Sequence, residues 1–219
     1  MKKFALIALG LWTAAMSAAA GEKVFALATA GDVDAAFAER VRVRLEETDG
    51  AAVRPAAAIP IEAGQSLEAI GRAAAKTLGE NDYAIIVLVR PLDEQPQGVC
   101  LPHERFATLN VARLEAGADA EHVERRAVQE GQRVEAMLLK MAPCPFPLCV
   151  LVGYEKVEDL DQMSGNFCPP CQDRFTRYAR EAGLRTIEPF ADAAAPAAEE
   201  AAPAAEPAPA AEEAAPAAE

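Results

Sequence analysis

The chain has 219 residues, 21 Lys+Arg against 34 Asp+Glu, a net charge of −13 and 52% hydrophobic residues. A surface this acidic excludes nucleic acid and anionic membrane faces as partners, because both repel it. Five cysteines and only two histidines narrow the metal chemistry open to it.

Residues 1–20 read as an export leader. Lys2 and Lys3 form a basic start, Phe4 to Trp12 an apolar run, and Ala18 and Ala20 a small-residue cleavage site before Gly21. A buried N-terminal helix is the competing reading. The run is too short for a membrane span and no cysteine lies near the cleavage point, so no stable membrane anchor is expected. The expected location is the bacterial periplasm or the extracellular space.

Residues 21–190 have the length of one domain. Val24 to Ala30 predicts a buried strand ended by Gly31-Asp32, and Asp32 or Asp34 caps a helix running to about Thr48. Phe37, Val41 and Leu45 recur every four residues on its inner side. Val53 to Ile61 predicts a marginal strand between Pro55 and Pro60, and Ser66 caps a second helix that carries Leu67, Ile70, Ala74 and Leu78 to Gly79. Tyr83 to Val89 is the most apolar strand and belongs at the centre of a sheet. Val99 to Leu101 and Phe106 to Leu114 predict two more strands, as a hairpin across Pro102 and His103. Asp119 to Met141 is the longest helix, with Val123, Ala127, Val134, Leu138 and Met141 as its buried stripe and Gly131 as an interior weak point. Gln172 to Glu181 predicts a last short helix. The alternation gives an α/β (α+β) domain around one twisted mixed sheet. Residues 191–219, almost all Ala, Pro and Glu, have no large apolar side chain to bury and predict a disordered acidic tail.

Four of the five cysteines stand as two pairs, Cys144-Pro-Phe-Pro-Leu-Cys149 and Cys168-Pro-Pro-Cys171, with eighteen residues between them. Two close pairs separated by a span that can fold back is the pattern of a tetrahedral four-thiolate zinc site. The prolines at 143, 145, 147, 169 and 170 predict bends rather than regular helix at both knuckles. Two disulfides are the rival, since an oxidising compartment favours them. A third reading is thiol-disulfide redox chemistry at Cys168-Pro-Pro-Cys171, but fewer than twenty body residues follow it, too few for the rest of a thioredoxin fold. Cys100, between Val99 and Leu101, reads as a buried free thiol.

The chain resembles the archaemetzincins, a family of small zinc peptidases. The resemblance rests on Gly31-Asp32-Val33-Asp34, on Leu109-Asn110-Val111-Ala112-Arg113-Leu114, on the long helix and above all on the cysteine spacing. It implies a metzincin-like single domain in which the four cysteines hold one structural zinc, and it favours zinc over disulfides. It also implies a catalytic zinc on His-Glu-x-x-His and a third His before the first knuckle cysteine. Laid back from Cys144, that pattern puts Arg133, Val134 and Met137 in place of the helix motif and Pro143 in place of the third His. Arg offers no lone pair, Val cannot act as a base, and Met is a poor ligand for Zn²⁺. His103 and His122 are the only histidines, so no three-His site can form. The expectation is an exported pseudopeptidase with no catalytic metal, binding a peptide or protein in a vestigial cleft. The alternatives are an active zinc peptidase with an atypical site and a redox protein using the second cysteine pair.

Overall fold

The computed structural model describes residues 22–186. The expected export leader and acidic tail lie outside the described residues. Five strands form one sheet: β1 (Val24–Gly31), β2 (Val53–Pro55), β3 (Asp82–Arg90), β4 (Gly98–Leu101) and β5 (Phe106–Asn110). Their order is β2-β1-β3-β5-β4, parallel except for β4, which runs antiparallel to β5 at the edge. Five helices accompany them: α1 (Ala35–Asp49), α2 (Leu67–Ala75), the single turn α3 (Val111–Leu114), α4 (Ala120–Leu138) and α5 (Pro169–Glu181).

Alternation along the strands builds two cores. Phe25 and Leu27 of β1, Ile86 and Leu88 of β3 and Leu109 of β5 meet α1 and α4 on one face. Ala26 and Ala28, Ile85 and Val87, and Phe106 meet α2 on the other. β3 is buried on both faces, which explains its unbroken apolar run. The result is three layers with helices on both sides of a mixed sheet.

The helix ends follow their capping chemistry. The Asp34 side chain accepts from the Phe37 N–H to start α1, Ser66 from Ala69 to start α2, and Asp119 from His122 to start α4. Gly50 closes α1 in the left-handed region, with φ 69°. Four expectations are corrected. The strand expected over Val53 to Ile61 is only β2 plus one bridge from Ile59 to Ala30, because prolines at 55 and 60 withhold ladder donors. The strand expected through Leu114 stops at Asn110 and turns into α3. The second helix ends at Ala75, not Gly79. The last helix starts at Pro169, not Gln172, because prolines suit a first turn whose N–H groups have no partner anyway.

Gly131 is no weak point. A Cβ there would lie 2.7 Å from Leu45 Cδ2 and 2.9 Å from Cδ1, and Leu45 is fully buried. The glycine lets α4 close onto α1. Gly131→Ala is therefore expected to lower stability by about 1–3 kcal/mol in urea unfolding, overriding the roughly 1 kcal/mol helix-propensity gain.

The same helix pair buries two acids. Asp49, 4% exposed, and Glu135, fully buried, face each other with Gln132, whose Nε2 donates to Asp49 Oδ1 at 2.7 Å. Burial pushes Asp49 up to about 6, against the hydrogen bonds from Glu135 and Gln132. Burial, then the neighbouring charge of Asp49, drives Glu135 well above the ordinary range. A carboxyl whose folded pKa is raised stabilises fully below its unfolded pKa and loses that contribution as pH rises through the folded value. Relative to Glu135→Gln, the native protein should therefore lose stability as pH rises from 4 through about 6 and beyond, measured by unfolding across that range.

Candidate metal centre

After Leu138 the chain leaves regular structure for some thirty residues, and α4 carries it. Arg126, 1% exposed, donates to the carbonyls of Leu114 (2.7 Å) and Ala116 (2.9 Å) and holds the Asp161 carboxylate through Nε and Nη2. Gln129 donates to Leu160 O at 3.0 Å. Arg133 Nη1 donates to Val150 O at 2.5 Å and Val152 O at 2.7 Å. Positions 126, 129 and 133 are spaced i, i+3, i+7, so one polar face of the helix holds the loop laid across it, Arg126 through the Asp161 carboxylate and Gln129 and Arg133 through backbone carbonyls.

That loop and the start of α5 bring the four predicted cysteines together. The Sγ atoms of Cys144, Cys149, Cys168 and Cys171 all lie within 4.8 Å of one another, and all four residues are buried. The Cys144 and Cys168 sulfurs are 3.8 Å apart. A regular tetrahedron with Zn–S bonds of about 2.3 Å has edges of about 3.8 Å, so the pocket fits this ion. The pairing that the geometry presents runs across the knuckles. The sulfurs also receive donors: the Phe146 N–H to Cys144 and the Cys168 N–H to Cys149, each at 3.5 Å, and Arg174 Nη2 to Cys171 at 2.9 Å. Four thiolates around Zn²⁺ carry two net negative charges, and Arg174 offsets part of that.

The sulfurs are not equivalent. Burial raises Cys149, and it raises Cys171 to about 12 against the pull of Arg174. Burial acts upward on Cys168 too, but the Cys171 N–H and the neighbouring sulfurs outweigh it and leave that thiol lowered. Cys168 sits at the N-cap of α5 and Cys171 in its first turn, so the expectation that prolines keep this knuckle out of helix is corrected. Cys100 is half-buried and outside the cluster, its thiol raised to about 11 by burial.

The positions laid against the peptidase motif have a different character. Arg133 is engaged by the two carbonyls, its Nε stands 3.1 Å from Glu130 Oε1 as an ion-pair contact, and its guanidinium lies 4.8 Å from the Tyr154 ring centroid. Burial raises Glu130, and Arg133 and the Tyr154 hydroxyl oppose it. Val134 is buried among core side chains, Met137 is 44% exposed, and Pro143 is exposed. His103 and His122 stand on the surface, the latter 2.7 Å from Asp119 through Nδ1. The sequence reading missed Glu130, Tyr154 and Arg174. Glu130 and Arg174 were detectable as helical i, i+3 neighbours of Arg133 and Cys171, whereas nothing local signals Tyr154.

Purified protein is expected to hold one zinc per chain with four cysteines reduced, read by metal analysis with thiol titration. Cys149→Ser should lose the ion and loosen residues 144–171, because metal binding and ordering of the segment are linked.

No family model matches the chain, and no curated protein matches it significantly in sequence. Solved structures do. The archaemetzincin of Methanopyrus kandleri superposes with a TM-score of 0.61 at 19% identity, over 73% of this chain and 97% of that one. A zinc-dependent peptidase of Methanocorpusculum labreanum gives 0.59 at 16% identity, over 69% and 99%. The archaemetzincin of Archaeoglobus fulgidus, solved with malonate, gives 0.53 at 18%, over 69% and 99%. The chain spans these proteins almost end to end, and its layers, mixed sheet and four-sulfur centre agree with what the cysteine spacing led one to expect. This chain has the archaemetzincin fold.

Proposed function

We propose that the protein is an exported, non-catalytic member of this fold that binds an extended segment of another protein, with one structural zinc on Cys144, Cys149, Cys168 and Cys171. The observation that carries the reading is Arg133. Its guanidinium is spent on Val150 O, Val152 O and Glu130, on the helix turn to which the resemblance assigns the first metal ligand. A permanent cation there repels a second cation, and Val134 supplies no base one residue on. The arginine thus takes over the task of tying the helix to the loop.

What remains suits binding. β4 is an edge strand, and among the described residues no strand pairs with its outer side, so its free N–H and C=O groups can accept an added strand. Among the described residues, three of the four exposed large apolar side chains are Met137, one turn beyond Arg133, and Phe146 and Leu148, between Cys144 and Cys149. Exposed apolar groups of this size mark contact surfaces.

Zinc-loaded protein incubated with unfolded casein is expected to show no chelator-sensitive cleavage. Turnover that chelator stops and Met137→Ala or Arg133→Ala abolishes would overturn the reading in favour of an atypical peptidase. Insulin reduction abolished by both Cys168→Ser and Cys171→Ser would favour the redox alternative.

A further inference from the structure

The carboxyl ends of the parallel strands form a second feature, away from the cysteines. β1 leads through α1 to β2 on one side of it, while β3 leads on to β4 and β5 on the other. The chain therefore reverses its winding between β1 and β3, with α1 and α2 on opposite faces of the sheet. In open α/β sheets ligands bind in the crevice outside the strand ends at such a point. A crevice of about 410 Å³ lies there. Its lining includes Val33 just past β1, Arg90 closing β3 and Val111 just past β5. It is a part of the molecule that the peptidase resemblance leaves without a role. Val123, in its wall, and Met137 are fourteen positions apart on α4, about 20 Å along the axis.

We propose that this crevice binds a small monoanionic carboxylate with an apolar body, of the size of an arylalkanoate. Phe37, Val111 and Val123 give it apolar walls. Charges of both signs line it, but the acids are already engaged. Glu115 holds Arg90 through both terminal nitrogens, and Asp34 accepts the Phe37 N–H that caps α1. Arg40 is the exception: its Nε meets Glu124 at 2.7 Å, its side chain is 53% exposed, and among the described residues its two terminal nitrogens have no partner. They can receive a carboxylate. The first turns of α1 and α4 both open on the same crevice, through Phe37 on one side and Ala120 and Val123 on the other, and their backbone dipoles add to the preference for an anion. A dianion such as phosphate is disfavoured by the flanking Asp34 and Glu115 carboxylates.

The test is titration of the zinc-loaded full chain with 3-phenylpropanoate and with its neutral amide, followed by amide and methyl NMR. Saturable shifts at Phe37, Val111 and Val123, with the acid bound more tightly than the amide, are expected. Ala118→Leu, which fills the crevice, should abolish both interactions. Arg40→Gln should weaken the acid roughly fivefold and leave the amide unchanged, which separates carboxylate recognition from any loss of folding. The proposal is overturned by no saturable shift up to about 5 mM, by shifts confined to Met137 and residues 144–152, or by equal affinity for acid and amide. Because the readout lies at the other end of α4 from Arg133, its failure leaves the peptide-binding reading untouched, and the converse holds.

Discussion

The last third of the described chain depends on one arrangement, a polar helix face that adds hydrogen bonds to a loop without strand or α-helix. A segment of some thirty residues with one short 3-10 turn and no strand bonds only some of its carbonyls internally and must find partners for the others or leave them in water. Gln129 and Arg133 provide such partners from successive turns of α4, Arg126 holds the loop's Asp161 carboxylate, and the four sulfurs draw the loop's ends together. Neither device suffices alone. Side-chain donors hold the loop down along its length, and the cysteines fix which parts of it meet.

This arrangement explains why α4 is so polar for a buried helix. Arg126, Gln129, Glu130, Gln132 and Glu135 are all under 10% exposed. A buried arginine is tolerated when most of its donors are used, as at Arg126, where two carbonyls and a bidentate carboxylate take four of the guanidinium's five N–H groups. Asp49 and Glu135 stand at the other extreme, two buried acids that have no cation against them among the described residues, so burial holds both above the ordinary carboxylate range. One helix thus carries a paired, hydrogen-bonded charge on its loop side and two acids raised by burial on its side toward α1.

Much of the fold was legible in residue patterns. The apolar run of β3, the four-residue recurrence of Phe37, Val41 and Leu45, and the caps Ser66 and Asp119 each decide their element locally. The cysteine spacing was legible for the same reason: four residues of one rare type with proline-set bends leave few ways to meet. What was not legible depends on distant partners. The turn at Val111 to Leu114 follows a strand without a breaking residue, and Gly131 looks like a fault until Leu45 is seen against it. The grip of Arg133 could not be read from its neighbours either, since its acceptors are backbone carbonyls seventeen and nineteen positions on.

The order in which these parts occur along the chain has a kinetic consequence. All five strands and the helices through α4 are complete by Leu138, six residues before the first knuckle cysteine. The three layers can assemble without any sulfur, leaving Cys144 to Cys171 to settle onto a surface already formed. An ion taken up by the four sulfurs would then lock a surface already formed rather than nucleate it.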